Sequence, residues 1–313
     1  MSFLLFALLN TAFIIAISPL FMGMIKKTKA FLQGRQGPSL VQPYFNLLKL
    51  FKKETVYSNR ASAIMRLTPY VNIAFILVAS LSIPLVFIPG PVAGIGNVIL
   101  FLYLLAMAKF FMALGGLDAG STFGGMGSSR EMTISAIVEP VVIIAFAALA
   151  LVMKTINLHE MFGMAIGQSL ILDPAILLTS VSFFIILIIE TSRIPVDNPE
   201  THLELTMIHE AMLLEYSGPD LALMEISHAV KQTLLMAIPL SLLAPWGLEA
   251  EPGWPGVPLA MLAFLAKGAL LAVAVGVTES VFAKFRLFRL PGLFMLAFFF
   301  SFSTILFELL SWI

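Results

Sequence analysis

The chain has 313 residues, 59% hydrophobic and only 12% charged, with a formal net charge of zero and no cysteine. Its mean hydropathy is +0.99, and soluble domains carry roughly 25% charged residues, so a water-soluble core is excluded and an all-α polytopic membrane protein is expected. Zero net charge gives no reason to expect nucleic acid or an acidic substrate. The missing thiols exclude disulfides, thiolate nucleophiles and cysteine ligation of zinc or iron–sulfur clusters by this chain. No cofactor or metal is expected in it, so any electrons would be carried by another subunit.

Eight apolar runs follow in order, at about 2–25, 68–88, 97–114, 131–153, 173–192, 221–245, 258–280 and 290–312. Each falls within the roughly 17–25 residues with which an α-helix crosses about 30 Å of hydrocarbon. The first run precedes its basic cluster (Lys26, Lys27, Lys29), the reverse of a secretory signal, and is read as an uncleaved helix. The 26–67 segment holds nine Lys or Arg residues, and Lys284, Arg286 and Arg289 lie between runs seven and eight. The 89–96 connection has no charge, 154–172 only one Lys, and 246–257 only Glu249 and Glu251. By the positive-inside rule the basic segments are cytoplasmic and both termini lie outside. The whole of 1–313 then reads as one membrane domain with a basic cytoplasmic loop, 26–67, and an acidic one, 193–220. Within the basic loop, Phe45, Leu48 and Phe51 recur at helical spacing among lysines between Pro43 and Lys53, which predicts a short amphipathic helix on the membrane surface. After run three, the small residues from Gly115 to Arg130 are expected to form a cytoplasmic loop that allows close backbone approach; the phosphate-loop pattern is absent.

Ionisable residues inside apolar runs cost several kcal/mol unless paired or hydrated, so they mark candidate sites. Here they are Lys109, Glu131, Glu139, Glu190, Glu225, Lys231, Lys267 and Glu279. Glu131 and Glu139 lie about 80° apart on a helix and could face one interior file. Snorkelling at span ends is the competing reading for Glu131, Glu190 and Lys109, and fits Glu139 poorly because it lies well inside. The stretch Glu190, Asp197, Glu200, Glu204, Glu210, Glu215, Asp220, Glu225 has Arg193 as its one fixed cation. Either a docking face for a basic partner or a carboxylate path for protons would explain it. Glu200 and Glu204, one turn apart, would repel on a helix unless one is protonated or a cation intervenes. Among the four histidines no pair faces across the spans; His202 and His209, seven apart, could share a helix face, as a metal site or, the reading preferred, as a hydrogen-bonded pair.

Two long motifs carry a resemblance. Gly34-Arg35-Gln36-Gly37-Pro38 with Gln42-Pro43 comes first, and Glu190-Thr191-Ser192-Arg193-Ile194-Pro195-Val196-Asp197-Asn198-Pro199-Glu200 with Glu215-Tyr216-Ser217-Gly218 follows. Together they resemble the subunit 1 family of respiratory complex I over essentially the whole chain. The stretch from Gly116-Leu117-Asp118-Ala119-Gly120-Ser121 to Gly127-Ser128-Ser129-Arg130-Glu131 looks more like the membrane subunit of group 4 energy-converting nickel–iron hydrogenases and formate hydrogenlyases.

The resemblance implies a non-catalytic subunit that clamps a hydrophilic arm onto antiporter-like membrane subunits in a prokaryotic inner membrane. The nickel–iron and iron–sulfur centres would sit in hydrogenase-like or quinone-oxidoreductase-like partners. It further implies a proton path through Glu139, Glu190, Glu200, Glu204, Glu210, Glu215 and Glu225, with Arg35, Arg193 and Asp197 as structural or charge partners; Lys231 and Lys267, cations within apolar runs, are expected to be charge partners too. A true complex I subunit would add a quinone site, but Thr201-His202-Leu203 stands where a further acidic residue is common. A stand-alone ion carrier remains the alternative of another class, and no inverted repeat supports it.

Overall fold

The computed structural model describes residues 3–89, 95–167, 173–198, 207–248 and 256–311. In chain order the helices are α1 (Phe3–Leu32), α2 (Gln42–Phe51), α3 (Ala63–Ser80), α4 (Val98–Asp118), α5 (Thr122–Met153), α6 (Leu158–Gly167), α7 (Pro174–Glu190), α8 (His209–Leu213), α9 (Gly218–Leu243), α10 (Gly256–Val281) and α11 (Leu290–Ser311). Among the described residues there is no β-strand, and one isolated bridge joins Asn97 to Asn157. The all-α membrane architecture expected from composition is therefore present. Seven helices, α1, α3, α4, α5, α9, α10 and α11, are long and apolar enough to cross a membrane. The fifth apolar run, 173–192, became α7, whose 17 residues lie at the short end of the spanning range.

Helix α9 is the centre of the bundle. Its apolar window is 72% buried, against 22–44% for the other spanning helices, and it packs on α1, α3, α7 and α10. It also carries Glu225, His228, Lys231 and Gln232. The most enclosed helix is thus among the most polar, and each charge on it needs a partner or water.

Lipid offers no hydrophobic drive between helices, so small residues and hydroxyls set the close contacts. On α10, a Cβ at Gly268 would meet the Phe21 ring of α1, and one at Gly276 would lie 2.8 Å from Thr28. Between α7 and α11, Ser182 Oγ donates to the Ala297 carbonyl at 2.9 Å and Thr179 Oγ1 to Thr304 Oγ1 at 3.2 Å.

The small-residue stretch corrects the sequence reading. It is not a loop: α4 runs through Gly115 and Gly116 to Asp118, and α5 starts at Thr122 with Ser121 capping Gly124 N at 3.0 Å. The close approach expected of it is present. A Cβ at Gly116 would stand 2.6 Å from Ser128 Oγ, and one at Gly127 2.8 Å from Ala211 Cβ and 3.0 Å from the Ile208 carbonyl. This corner lets α8 lie across α4 and α5. Asp118 then accepts from Ser62 N and Met65 N, both at 2.9 Å, and holds the start of α3.

The amphipathic helix is α2, 10 residues long, with Phe45 and Leu48 exposed. At the opposite end of the bundle, Asn10 donates to the Ser80 and Ile83 carbonyls at 2.9 and 3.1 Å. That polar clamp stops α3 at Ser80, eight residues before the apolar run ends.

A buried chain of charges between two cavities

The segment after α7 builds the site. Ser192 takes a left-handed conformation (φ 47°) without being glycine, and its amide and that of Arg193 bond back to the Ile189 and Ile188 carbonyls at 3.1 and 3.0 Å. This helix-ending pattern usually uses Gly at that position. It turns Arg193 inward, where the side chain is 2% exposed.

Arg193 bonds to Glu279 on α10 at 3.2 Å and donates to Gln232 on α9 at 2.6 Å, while Lys29 of α1 reaches the other Glu279 oxygen at 3.4 Å. Four residues on, buried Asp197 pairs with Lys284 at 2.6 Å and accepts from Ile208 N and His209 N at 2.9 and 3.2 Å. Asp197 therefore sets where α8 begins and where the His209 ring sits.

Glu190, the last residue of α7, is the central group. One carboxylate oxygen accepts from Lys109 of α4 at 2.9 Å and the other from Lys231 of α9 at 2.8 Å. The three side chains are only 7%, 9% and 14% exposed for Glu190, Lys109 and Lys231. Two cations on one carboxylate leave a surplus positive charge in the bundle, and buried Glu131 on α5 lies alongside, lining the same small voids. Snorkelling is thus overturned for Lys109, Glu131 and Glu190.

Four cavities join these groups. The first, about 420 Å³, is reached past α2 and the end of α1 and holds Lys26, Arg193, His209, Glu210, Glu225 and His228. The second, about 260 Å³, lies on the side of the bundle between α4, α5 and α9 and holds Lys109, Glu139 and Glu190. Between them lie voids of about 30 and 10 Å³, the former with room for a water molecule. His209 and His228 line the first cavity and the 30 Å³ void; Lys109 and Glu131 line both voids; Lys109 and Glu190 line the 10 Å³ void and the second cavity.

Electrostatics outside the spanning helices follow from burial. Burial and the neighbouring Glu225 carboxylate push the Glu210 carboxyl up to about 7. Burial, reinforced by Lys231, holds His209 down at about 4.

Of the residues expected in the site, Glu190, Glu210, Glu225, Arg193 and Lys231 come together along this route. Asp197 holds its frame. Glu139 lies at its far opening but is exposed, not buried, so Glu131 and Glu139 face the interior and the bundle surface rather than one file. Glu215 is half-buried and lines none of these cavities, and Arg35 is exposed in the turn after α1. Lys267 pairs with no carboxylate among the described residues; its ammonium donates to the Ala244 and Trp246 carbonyls, each at 2.7 Å, closing the end of α9. Glu200, Glu204 and His202 lie outside the described residues. Sequence reasoning missed the histidine pair: His209 packs on His228 with ring centroids 4.5 Å apart, where none across spans was expected. Spacing could not reveal it, because the two rings come from different helices, but Glu225, His228 and Lys231 at three-residue intervals on α9 do share a face. Among the described residues no group of three or more His, Asp or Glu could hold a metal ion.

The NADH dehydrogenase family matches residues 4–309. The chain belongs to this family. Curated relatives include Hydrogenase-4 component C of Escherichia coli (strain K12), 33% identical over 90% of this chain and 88% of that one. Formate hydrogenlyase subunit 4 of the same strain is 29% identical over 95% and 96%. NADH-ubiquinone oxidoreductase chain 1 of Oncorhynchus mykiss is 27% identical over 83% and 80%. The resemblance read from the two motifs and the small-residue stretch is thus borne out. Among solved structures, a chain of the membrane-bound sulfane sulfur reductase, an archaeal respiratory membrane complex, shares the fold with a TM-score of 0.81 at 19% identity, over 97% of this chain and 100% of that one.

Proposed function

We propose that this NADH dehydrogenase family member is a non-catalytic membrane subunit of an ion-translocating oxidoreductase complex of the hydrogenase or formate hydrogenlyase type. Its basic end faces the cytoplasm of a prokaryotic cell and docks an arm carrying nickel–iron and iron–sulfur centres. Both termini lie on the outer face. Protons pass through the bundle to antiporter-like subunits beside α4 and α5.

The observation that carries this reading is the Glu190 carboxylate held between Lys109 and Lys231, midway between an opening at the basic end and one on the side. Moving one charge against 100 mV costs about 2.3 kcal/mol, so a path needs stations, and the cavities string them at intervals. An exposed carboxylate within a spanning helix is costly against lipid. Glu139 in the side cavity therefore supports a polar neighbour subunit there.

Purifying the complex from native membranes through a tag on this chain tests the reading. Nickel with a hydrogenase-like large subunit is the expected result, and recovery of the chain alone would contradict it. One observation favours a quinone-site subunit instead: among the described residues, Arg193 Nε is buried without a hydrogen-bond partner beside the 420 Å³ cavity. Co-purifying flavin, a nickel-free arm and quinone-dependent turnover would establish that alternative.

A further inference from the structure

We propose that His209 and His228 together form the proton-transfer gate between the opening at the basic end and the Lys109–Glu190–Lys231 group. The inference rests on the relay reading above and names the element that controls it. Among the described residues, those shared by the 420 Å³ cavity and the 30 Å³ void are these two histidines and no others. On the basic side of the pair stand Glu210 and Glu225, and on the inner side Glu131, Lys109 and Lys231. Among the described residues carboxylates alone do not bridge the step, since neither Glu210 nor Glu225 lines the void and neither Glu131 nor Glu190 lines the cavity.

The chemistry of imidazole suits the position. One ring nitrogen takes a proton from the Glu210 or Glu225 carboxyl as that O–H bond breaks, and the other ring nitrogen releases its proton toward Glu131, returning the ring to neutrality. With the rings 4.5 Å apart, two imidazolium ions would repel strongly, so the pair holds one proton at a time. Arg193, Lys26, Lys109 and Lys231 disfavour the charged pair, and Asp197, Glu131, Glu210 and Glu225 favour it; Asp197 also fixes the His209 backbone. His209 is neutral near pH 7, and its burial makes the charged ring short-lived. The pair therefore passes a proton without storing it.

The test uses the whole complex in inverted membrane vesicles, comparing protons moved per electron pair in wild type, Glu139→Gln and His209→Gln/His228→Gln. The expected result is a loss of about a hundredfold in proton movement in the double variant, the low end of what a positioned acid–base group contributes. Single variants are expected to shift the acidic limb of the pH profile, which a merely structural role would leave in place. Wild-type pumping in the double variant, with Glu139→Gln impaired, overturns the gate and leaves the relay standing. Wild-type pumping in both overturns the relay as well. Loss in the double variant alone supports the gate and removes Glu139. If the double variant does not assemble, the native complex with ring-¹⁵N histidine decides. A label-sensitive imidazolium infrared signal during turnover supports the gate, and its absence overturns it.

Discussion

At the residue scale, Glu190 holds apart two ammonium groups that would otherwise be buried unpaired. Removing one partner of a buried ion pair costs about 3–5 kcal/mol, whereas replacing the whole group by apolar residues is often neutral or stabilising. Glu190→Ala is therefore expected to lower the melting temperature and the yield of assembled complex. The triple change Lys109→Met/Glu190→Leu/Lys231→Met is expected to recover the yield yet pump no protons, measured by proton uptake in vesicles. Glu210 carries a pH signature. Its carboxyl binds its proton more tightly folded, with a value of about 7 against 4.5 in the open chain. Its contribution to stability is thus full below pH about 4.5 and is lost as pH rises through about 7. Melting curves of Glu210→Gln against wild type should diverge across that window and run parallel outside it. The sequence showed Lys109, Glu190 and Lys231 as ionisable groups in apolar runs, which is a cost argument and names no partners. That Lys109, Glu190 and Lys231 meet depends on three helices far apart in the chain. The turn that buries Arg193 was hidden because Ser192, not glycine, occupies its left-handed position.

At the element scale, the corner between α4 and α5 was the part least legible in the sequence. A run of glycines and serines reads as a loop when helix propensity is the guide, because glycine costs about 1 kcal/mol in a helix against alanine. In a bundle the same residues let α8 approach, and that packing outweighs the cost. Two substitutions separate the effects. Gly127→Leu places a side chain where even a Cβ is 2.8 Å from Ala211 and 3.0 Å from the Ile208 carbonyl, lifting α8 and His209. Overpacking of this kind costs about 1–3 kcal/mol, read as a lower melting temperature. Gly125, also in α5, has nothing among the described residues within 4 Å of an added Cβ. Gly125→Ala is expected to leave the melting temperature unchanged or raise it, by about 0.4–1 kcal/mol of stability. The amphipathic α2 and the eight apolar runs, by contrast, were legible because periodicity and length are local properties of the chain.

At the scale of the whole molecule, the most enclosed helix of the bundle carries Glu225, His228 and Lys231, and the cavities link them to openings at the basic end and on the side. The proposed relay needs such a line of groups; an anchor does not. Whether a carboxylate in an apolar run faces inward or outward depends on the neighbours its helix finds, so Glu139 could be expected to be buried and prove exposed. The same exposure makes it the cleanest probe, because its replacement removes no buried partner. Protons moved per electron pair in Glu139→Gln, measured in vesicles holding the intact complex, test the central claim most directly. The account predicts normal assembly with strongly reduced pumping. Normal assembly with undiminished pumping would contradict a path that leaves the bundle between α4 and α5.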